Sequence, residues 1–378
     1  MDMDLTALSA RFHVCAEERN KTGFARFFAE RKNDCIAVLC DGNTKPYALA
    51  FLKELAKRSV RAYAVELPSK EPVADEATVE FVTRRTQGAT YLLAVGAGTL
   101  NDLAKYSGFL QQKKSGILAT AASMDGFSSG VTPLIENGFK ITRNAQTASN
   151  VLIDYDLLAT APAVMTGAGV GDILAKFCCL ADWKMSHLLL HEDYNEEAAS
   201  LMRAALTDCN NSVADILQGG ERGLSALMRA LLVSGYAMVL AGSSRPASGA
   251  EHHMSHYLEM DFLRRGKPIP LHGVKVGLGT MVSLWLYHTM EESRFDAVFG
   301  AETVRQLAKD LPSAEYVQKI LQSFGCPTRF SDLDVSKETV REMFFSAYKI
   351  RDRFTILALY NREDIMRCVA DDLIDLFY

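Results

Sequence analysis

No stretch of this 378-residue chain approaches the ~20 uninterrupted apolar residues that a membrane-spanning helix needs, so no bilayer insertion is expected. It contains no Cys-x-x-Cys pair. Of its eight cysteines only Cys178 and Cys179 are adjacent, a scatter that suits neither a disulfide framework nor a thiolate zinc site and fits a reducing cytoplasm. The opening MDMDLTALSARFHVCAEE lacks a basic segment followed by an apolar one and does not read as a secretory signal. There is no basic excess either. A net charge of −5 and a pI near 6.0 argue against nucleic acid or an anionic membrane as the main partner. Internal repeats and low-complexity segments are also lacking. What remains is an ordinary globular mix, 48% hydrophobic and 23% charged.

The chain is longer than one hydrophobic core usually serves, so two domains are expected. Up to about residue 160, short apolar runs alternate with amphipathic stretches. Cys35–Leu39, Ala62–Glu66, Tyr91–Val95, Gly116–Thr120 and Ala148–Ile153 read as strands, with helical spacing over Tyr47–Lys57 and Glu71–Arg85. Strands separated by helices imply crossovers and a parallel sheet, whose ligands bind beyond the carboxyl ends of the strands. After Ala161-Pro162 the pattern turns helical: Ile173–Leu190, Asn195–Leu206, Val213–Gln218, Gly223–Leu240, Lys275–Tyr287 and Ser336–Tyr348. The expected architecture is a Rossmann-like α/β dinucleotide domain over residues 1–160 and an all-helical metal- and substrate-binding domain over 161–378. The site is expected in the cleft between them.

Three turns after strands attract attention. Val95-Gly96-Ala97-Gly98-Thr99-Leu100-Asn101-Asp102 joins a strand to a helix, where glycines let backbone approach a phosphate and the helix N-terminus offers unpaired amides. It is not the GxGxxG fingerprint, since Asn101 holds the third position, and a purely structural joint reads equally well. Asp41, just after the first of these strands, either accepts hydrogen bonds from a ribose or caps a turn. The small, hydroxyl-bearing run from Thr120 through Ser123 and Asp125 to Gly130 carries less charge than a solvent loop and suits the lining of a nicotinamide or substrate site.

The helical half holds three further segments. Gly167-Ala168-Gly169-Val170-Gly171-Asp172 is expected to place a carboxylate at the opening of a helix. Glu251-His252-His253-Met254-Ser255-His256 puts His252 and His256 on one helix face. Leu271-His272-Gly273 follows a turn containing Pro268 and Pro270. A carboxylate and two imidazoles suit a divalent ion with positions left open. Each also has a plain reading: Asp172 as an N-cap, the paired histidines as a polar face, His272 as a turn residue. Co-occurrence favours the ion, since three of the eight His lie within 252–256 and another at 272.

GAGTLNDLAKYSG, TAASMDGFSSG, GAGVGDILAK, SRPASGAEHHMSH and LHGVKVG together resemble the successive motifs of the iron-containing alcohol dehydrogenase superfamily, with its dehydroquinate synthase-like fold. They are most similar to its sn-glycerol-1-phosphate dehydrogenase branch, in the same order over roughly residues 35–290. The resemblance implies metal ligands Asp172, His252 and His272, with His256 a nearby proton-relay residue. It implies that Gly96, Gly98, Thr99 and Asp102 line the dinucleotide phosphates, that Asp41 lies near the adenosine ribose, and that Thr120, Ser123 and Asp125 border nicotinamide and substrate. It leaves open whether Lys105 touches a ligand. Ala97 departs from the pattern, many superfamily members having a third glycine there.

The implied reaction interconverts dihydroxyacetone phosphate and sn-glycerol-1-phosphate with NAD(P)H, in a homodimer or higher oligomer. The ion would be zinc or nickel, with iron also compatible. Arg245, just before the ligand helix, is the candidate for the substrate phosphate, with a surface Arg or a cap on the preceding helix as the alternative; absence of a basic pocket near Arg245 and Lys275 would favour an unphosphorylated substrate. Asp41 would repel a 2′-phosphate, which favours NADH. Rival readings are a polyol dehydrogenase acting on an unphosphorylated substrate and a dehydroquinate-synthase-like lyase.

Overall fold

A computed structural model describes residues 11, 12, 14–69 and 71–378. Residues 1–10 and 13, most of the stretch inspected for a secretory signal, lie outside them. The chain divides into two compact units: one of residues up to Pro162 together with Gln218–Tyr236, the other of Ala163–Leu217 and Ala237–Tyr378.

The first unit contains strands β1 (Cys15–Glu18), β2 (Cys35–Cys40), β3 (Arg61–Glu66), β4 (Tyr91–Gly96), β5 (Lys114–Ala119), β6 (Val131–Glu136), β7 (Phe139–Asn144) and β8 (Asn150–Ile153). Six form a parallel sheet in the order β1-β8-β5-β4-β2-β3. Helices α1 (Lys45–Lys57), α2 (Glu76–Arg85) and α3 (Gly98–Leu110) supply crossovers. The apolar faces of β2, β4 and α1 close a core around Phe27, Ile36, Val38, Phe51, Leu55 and Tyr91. The helix expected from Glu71 starts later, because the Asp75 side chain accepts from Thr78 N at 2.8 Å and caps it there. From β2 the chain steps outward to β3 and returns to β4 on β2's other side. The strand order therefore reverses between β2 and β4, the crevice where open α/β sheets bind ligands. Asp41 follows β2, Gly96 ends β4, and Thr120 follows β5 beside it.

Two features escape the strand-and-helix reading. Strand β1 is only four residues long and, among the described residues, pairs solely with β8. Strands β6 and β7 form an antiparallel hairpin whose turn residues, Asn137 and Gly138, both have positive φ (51° and 78°). Asn-Gly between alternating apolar residues is the sequence signature of such a turn. Residues 218–236 fall in the first unit because a glycine permits close contact. A Cβ on Gly235 would lie 2.1 Å from Ser128 Oγ, which donates to Leu232 O at 2.7 Å, and Ser234 Oγ donates to Asp125 Oδ2 at 2.7 Å.

The second unit is helical, including α4 (Ala163–Leu174), α5 (Lys176–Leu190), α6 (Ala250–Arg264), α7 (His272–Thr289), α8 (Ala314–Ser323) and α9 (Ile356–Arg362). The glycine run before Asp172 is not a flexible entry to a helix but lies within α4, and Asp172 is interior rather than an N-cap. The glycines act in packing. A Cβ on Gly273 would lie 1.8 Å from Ala168 O, and one on Gly171 would lie 2.7 Å from Gly273 O, so α4 and α7 meet backbone to backbone. Gly279 does the same against Glu251 O, at 2.6 Å, bringing α6 onto α7. Three chain-distant segments are thereby drawn onto one point. Ala163–Leu190 and Glu221–Ala241 are long and apolar enough to cross a membrane by composition. Most of each, 78% and 67% of the apolar window, is buried within the fold, as in core helices.

Candidate metal centre and cofactor cradle

Asp172 near the end of α4, His252 in the first turn of α6 and His272 at the start of α7 offer ligand atoms that all lie within 4.8 Å of one another. His252 Nε2 stands 3.7 Å from Asp172 Oδ1, and the His252 and His272 rings are 5.2 Å apart between centroids. Asp172 and His252 are buried, while His272 is partly exposed, leaving an open side. Lys176, one turn beyond Asp172 and fully buried, donates to Asp172 Oδ1 and to Ala247 O, each at 3.0 Å.

Glu251 orients the first imidazole. Its Oε1 accepts from His252 Nδ1 at 2.7 Å, from Gly249 N at 2.6 Å and from the Cys179 thiol at 2.9 Å. A carboxylate only accepts, so Nδ1 carries the hydrogen and the Nε2 lone pair points toward Asp172. Cys179, Glu251 and His252 also cluster tightly enough to hold an ion. Burial, then the Glu251 charge, push the Cys179 thiol well above its ordinary pKa, so it stays protonated and makes a poor ligand. The Asp172 group is the better fit.

Charge supports an ion there. A Cβ on Gly249 would lie 2.5 Å from Asp182 Oδ2 and 3.0 Å from Glu251 Oε2, so these carboxylates flank one glycine, and Glu251 Oε2 is buried without a hydrogen-bond partner. Asp172 and Glu251 bring two buried carboxylates to the ligand set, against the one ammonium, Lys176, that bonds Asp172, and a dication there would offset the excess. Glu251→Gln should lower metal affinity roughly 10- to 100-fold, the usual cost of losing a partner that orients a ligand. Competition against a chromophoric chelator measures it; unchanged affinity in folded variant would remove Glu251 from the centre.

His256 lies one turn beyond His252, its ring centroid 6.4 Å from that of His252 and 6.5 Å from that of His272. His253 belongs to neither group: both ring nitrogens are buried without a partner, and burial lowers its pKa to about 3.

In the first unit the cradle lies at the strand ends. Helix α3 starts at Gly98 and its N-cap, Ala97, has no side chain that caps, so the first amides are left for another acceptor. A Cβ on Gly98 would lie 3.2 Å from Met124, a tight fit. Thr120 N donates to Gly96 O at 2.9 Å, joining the two loops, and Thr120 and Ser123 are largely buried. Thr99, one residue into α3, is partly exposed. Asp102 is buried, and desolvation raises its pKa to about 7 against the opposing charges of Lys105 and Lys140. Lys105 anchors the loop, its Nζ donating to Gly126 O (3.1 Å), Ser129 Oγ (3.1 Å) and Val131 O (2.8 Å). Asp41 caps its own turn, Oδ1 accepting from Asn43 N at 2.9 Å and Thr44 N at 2.8 Å. Its Oδ2 has no hydrogen bond among the described residues.

Arg245, expected at a substrate phosphate, is committed elsewhere. Its guanidinium forks onto Glu192, with Nε to Oε1 at 2.6 Å and Nη2 to Oε2, and both Nη atoms donate to Phe354 O at 3.2 Å. Lys275 is buried and donates to Pro270 O at 2.7 Å. No motif surrounds Asp182, Arg351 or Arg353, so nothing in the local sequence singles them out. Glu251 was legible only as the neighbour of His252.

Residues 17–162 match the iron-containing alcohol dehydrogenase family. Over 343 residues the chain is 34% identical to the NAD(P)+ glycerol-1-phosphate dehydrogenase of Bacillus subtilis strain 168, covering 88% of this chain and 87% of that one. This chain belongs to the glycerol-1-phosphate dehydrogenase family. A relative of the same name from Thermococcus kodakarensis is 35% identical over 323 residues, 81% of this chain and 82% of its own. Among solved structures, a probable glycerol dehydrogenase from Sinorhizobium meliloti superposes with a TM-score of 0.66 at 18% identity, covering 96% of this chain and 97% of the other. That likeness gives the fold: a parallel-sheet unit followed by helices, as in the superfamily.

Proposed function

We propose that this chain is a metal-dependent, NAD(P)-linked dehydrogenase interconverting dihydroxyacetone phosphate and sn-glycerol-1-phosphate. The observation that carries the reading is the convergence of Asp172, His252 and His272, with Glu251 fixing the His252 tautomer, in a chain of this family. Asp172, His252 and His272 would hold the ion; zinc and nickel both accept this donor set, as does iron. Bound there, a divalent ion supplies Lewis acidity toward a ketone oxygen, and the nicotinamide supplies the hydride.

The protein's own part is binding and positioning. The uncapped start of α3, with Gly96, Gly98, Thr99 and Asp102, would receive the dinucleotide phosphates. Asp41 Oδ2 would take a ribose hydroxyl and disfavour a 2′-phosphate, giving preference for NADH. Thr120, Ser123 and Asp125 would border the nicotinamide. The net change is one hydride to the ketone carbon and one proton to its oxygen; His256, partly exposed beside the ligand rings, would hand on the proton.

The test is NADH oxidation by metal-reconstituted protein with dihydroxyacetone phosphate and dihydroxyacetone compared side by side. We expect strong preference for the phosphorylated ketone, with sn-glycerol-1-phosphate as product. Preference for dihydroxyacetone would make it a polyol dehydrogenase; inertness toward both would reopen the lyase.

A further inference from the structure

The second unit gathers three guanidinium groups, of which one, Arg245, makes an ion pair among the described residues. Arg245 takes the Glu192 carboxylate in a fork. Arg351 and Arg353, on the segment leading into α9, meet none at ion-pair distance among the described residues. Arg351 Nη1 donates to Ser244 Oγ at 3.2 Å, and its Nη2 lies 3.4 Å from His256 Nε2. Arg353 Nη2 donates to the same Ser244 Oγ at 2.9 Å, and its Nη1 to Ser248 O at 3.2 Å. One serine hydroxyl thus gathers both groups. Each guanidinium carries five N–H donors, so most remain unspent. Both side chains are partly exposed and open to a solute.

This crowding is electrostatically unfavourable without an anion. Burial lowers the Arg351 pKa, and burial with the charges of Arg351 and Arg245 lowers that of Arg353 to about 10, Glu192 only partly opposing. Both stay charged at neutral pH. Through His256 the pair adjoins the metal-binding histidines: Arg351 touches His256, whose ring neighbours those of His252 and His272. An anionic group tethered a few bonds from a carbonyl at the ion would fall among these donors.

We propose that Arg351 and Arg353, gathered by Ser244 beside His256, bind the phosphate of a short phosphorylated ketone, with Arg245 as the support that fixes their loop. The assignment rests on the dehydrogenase reading above and moves phosphate recognition from the motif-bearing Arg245 to the C-terminal segment. A planar fork of N–H donors matches phosphate oxygens two at a time, which an ammonium does not.

The test uses metal-reconstituted full-length protein and its Arg351→Ala, Arg353→Ala and Arg353→Lys variants, each checked for folding by circular dichroism and for metal content. Two readouts are taken. One is the ratio of kcat/KM for dihydroxyacetone phosphate over dihydroxyacetone; the other is the inhibition constant for inorganic phosphate. Each Ala variant should lower the ratio roughly 100-fold and weaken phosphate inhibition by a similar factor, as expected for a lost charge-assisted pair, with Lys recovering part of both. Wild-type ratio and phosphate inhibition in folded Ala variants would overturn the assignment while leaving the dehydrogenase reading intact. A wild-type protein indifferent to the phosphate group would fail that reading first. Should an Ala variant not fold, Arg353→Lys decides: an unchanged ratio and unchanged phosphate inhibition overturn the proposal, and a drop in both supports it.

Discussion

His252→Ala should remove bound metal and turnover together. The ion would have three protein ligands, and the substitution takes the one imidazole whose free nitrogen is fixed by a buried carboxylate, Glu251 at 2.7 Å. Asp172 and His272 that remain form a two-point site, and Lys176, already 3.0 Å from Asp172 Oδ1, would compete for the carboxylate. Metal content by mass spectrometry is expected at background. With the Lewis acid that the site would hold gone, kcat should fall by at least roughly 10³-fold, since even a single hydrogen-bond donor aimed at developing negative charge is commonly worth about 10²–10³. Stability should fall modestly, by about 1–3 kcal/mol, because Glu251 keeps its backbone and thiol partners but loses one charge-assisted hydrogen bond. A folded, metal-free variant turning over at wild-type rate would end the metal mechanism.

The centre shows how much of such a site is legible in sequence. The His252/His256 spacing announces a helix face, and Asp172 and His272 are the right kinds of residue. What no local pattern states is that they meet. That depends on Gly171 and Gly273 letting two helices touch through backbone atoms, and on Gly279 doing so for a third. Read locally, the glycine run before Asp172 suggests a loop; packing turns it into helix. The strands β2, β4 and β5 are legible as apolar runs because strands covered on both faces leave little alternation to misread. The hairpin at Asn137-Gly138 was equally written in the sequence, but a reading organised by alternating strands and helices passes over it. Arg351 and Arg353 differ: their meaning lies in meeting no carboxylate at ion-pair distance among the described residues, a property of the folded chain alone.

Asp182→Ala should cost the most stability of any single change near the centre. Asp182 is fully buried, and its two oxygens satisfy three donors: Oδ1 accepts from Ile356 N and Tyr287 Oη, each at 2.7 Å, and Oδ2 from Ala250 N at 2.8 Å. It therefore pins the starts of α6 and α9 to α7 and fixes the turn that presents His252. Alanine leaves three buried donors unsatisfied at about 1–3 kcal/mol each, with neighbouring effects that do not add fully, so about 3–5 kcal/mol is expected. Chemical denaturation of the apoprotein measures it; a loss under about 1 kcal/mol would show that Asp182 pins nothing. The wild-type residue also carries a pH signature. Desolvation, and then the Glu251 charge, raise its pKa from 3.8 to about 7. The folded state thus holds a proton that the unfolded chain has released, so the stability Asp182 contributes is full below about 3.8 and declines as pH rises through about 7. Asp182→Asn, which cannot ionise, should flatten that decline. It should still lose stability at every pH, because either its amide nitrogen faces Ala250 N–H or, flipped, it faces the other two donors. An apoprotein whose stability profile between pH 4 and 7 is identical in wild type and Asp182→Asn would show that Glu251 and burial do not hold the proton on Asp182.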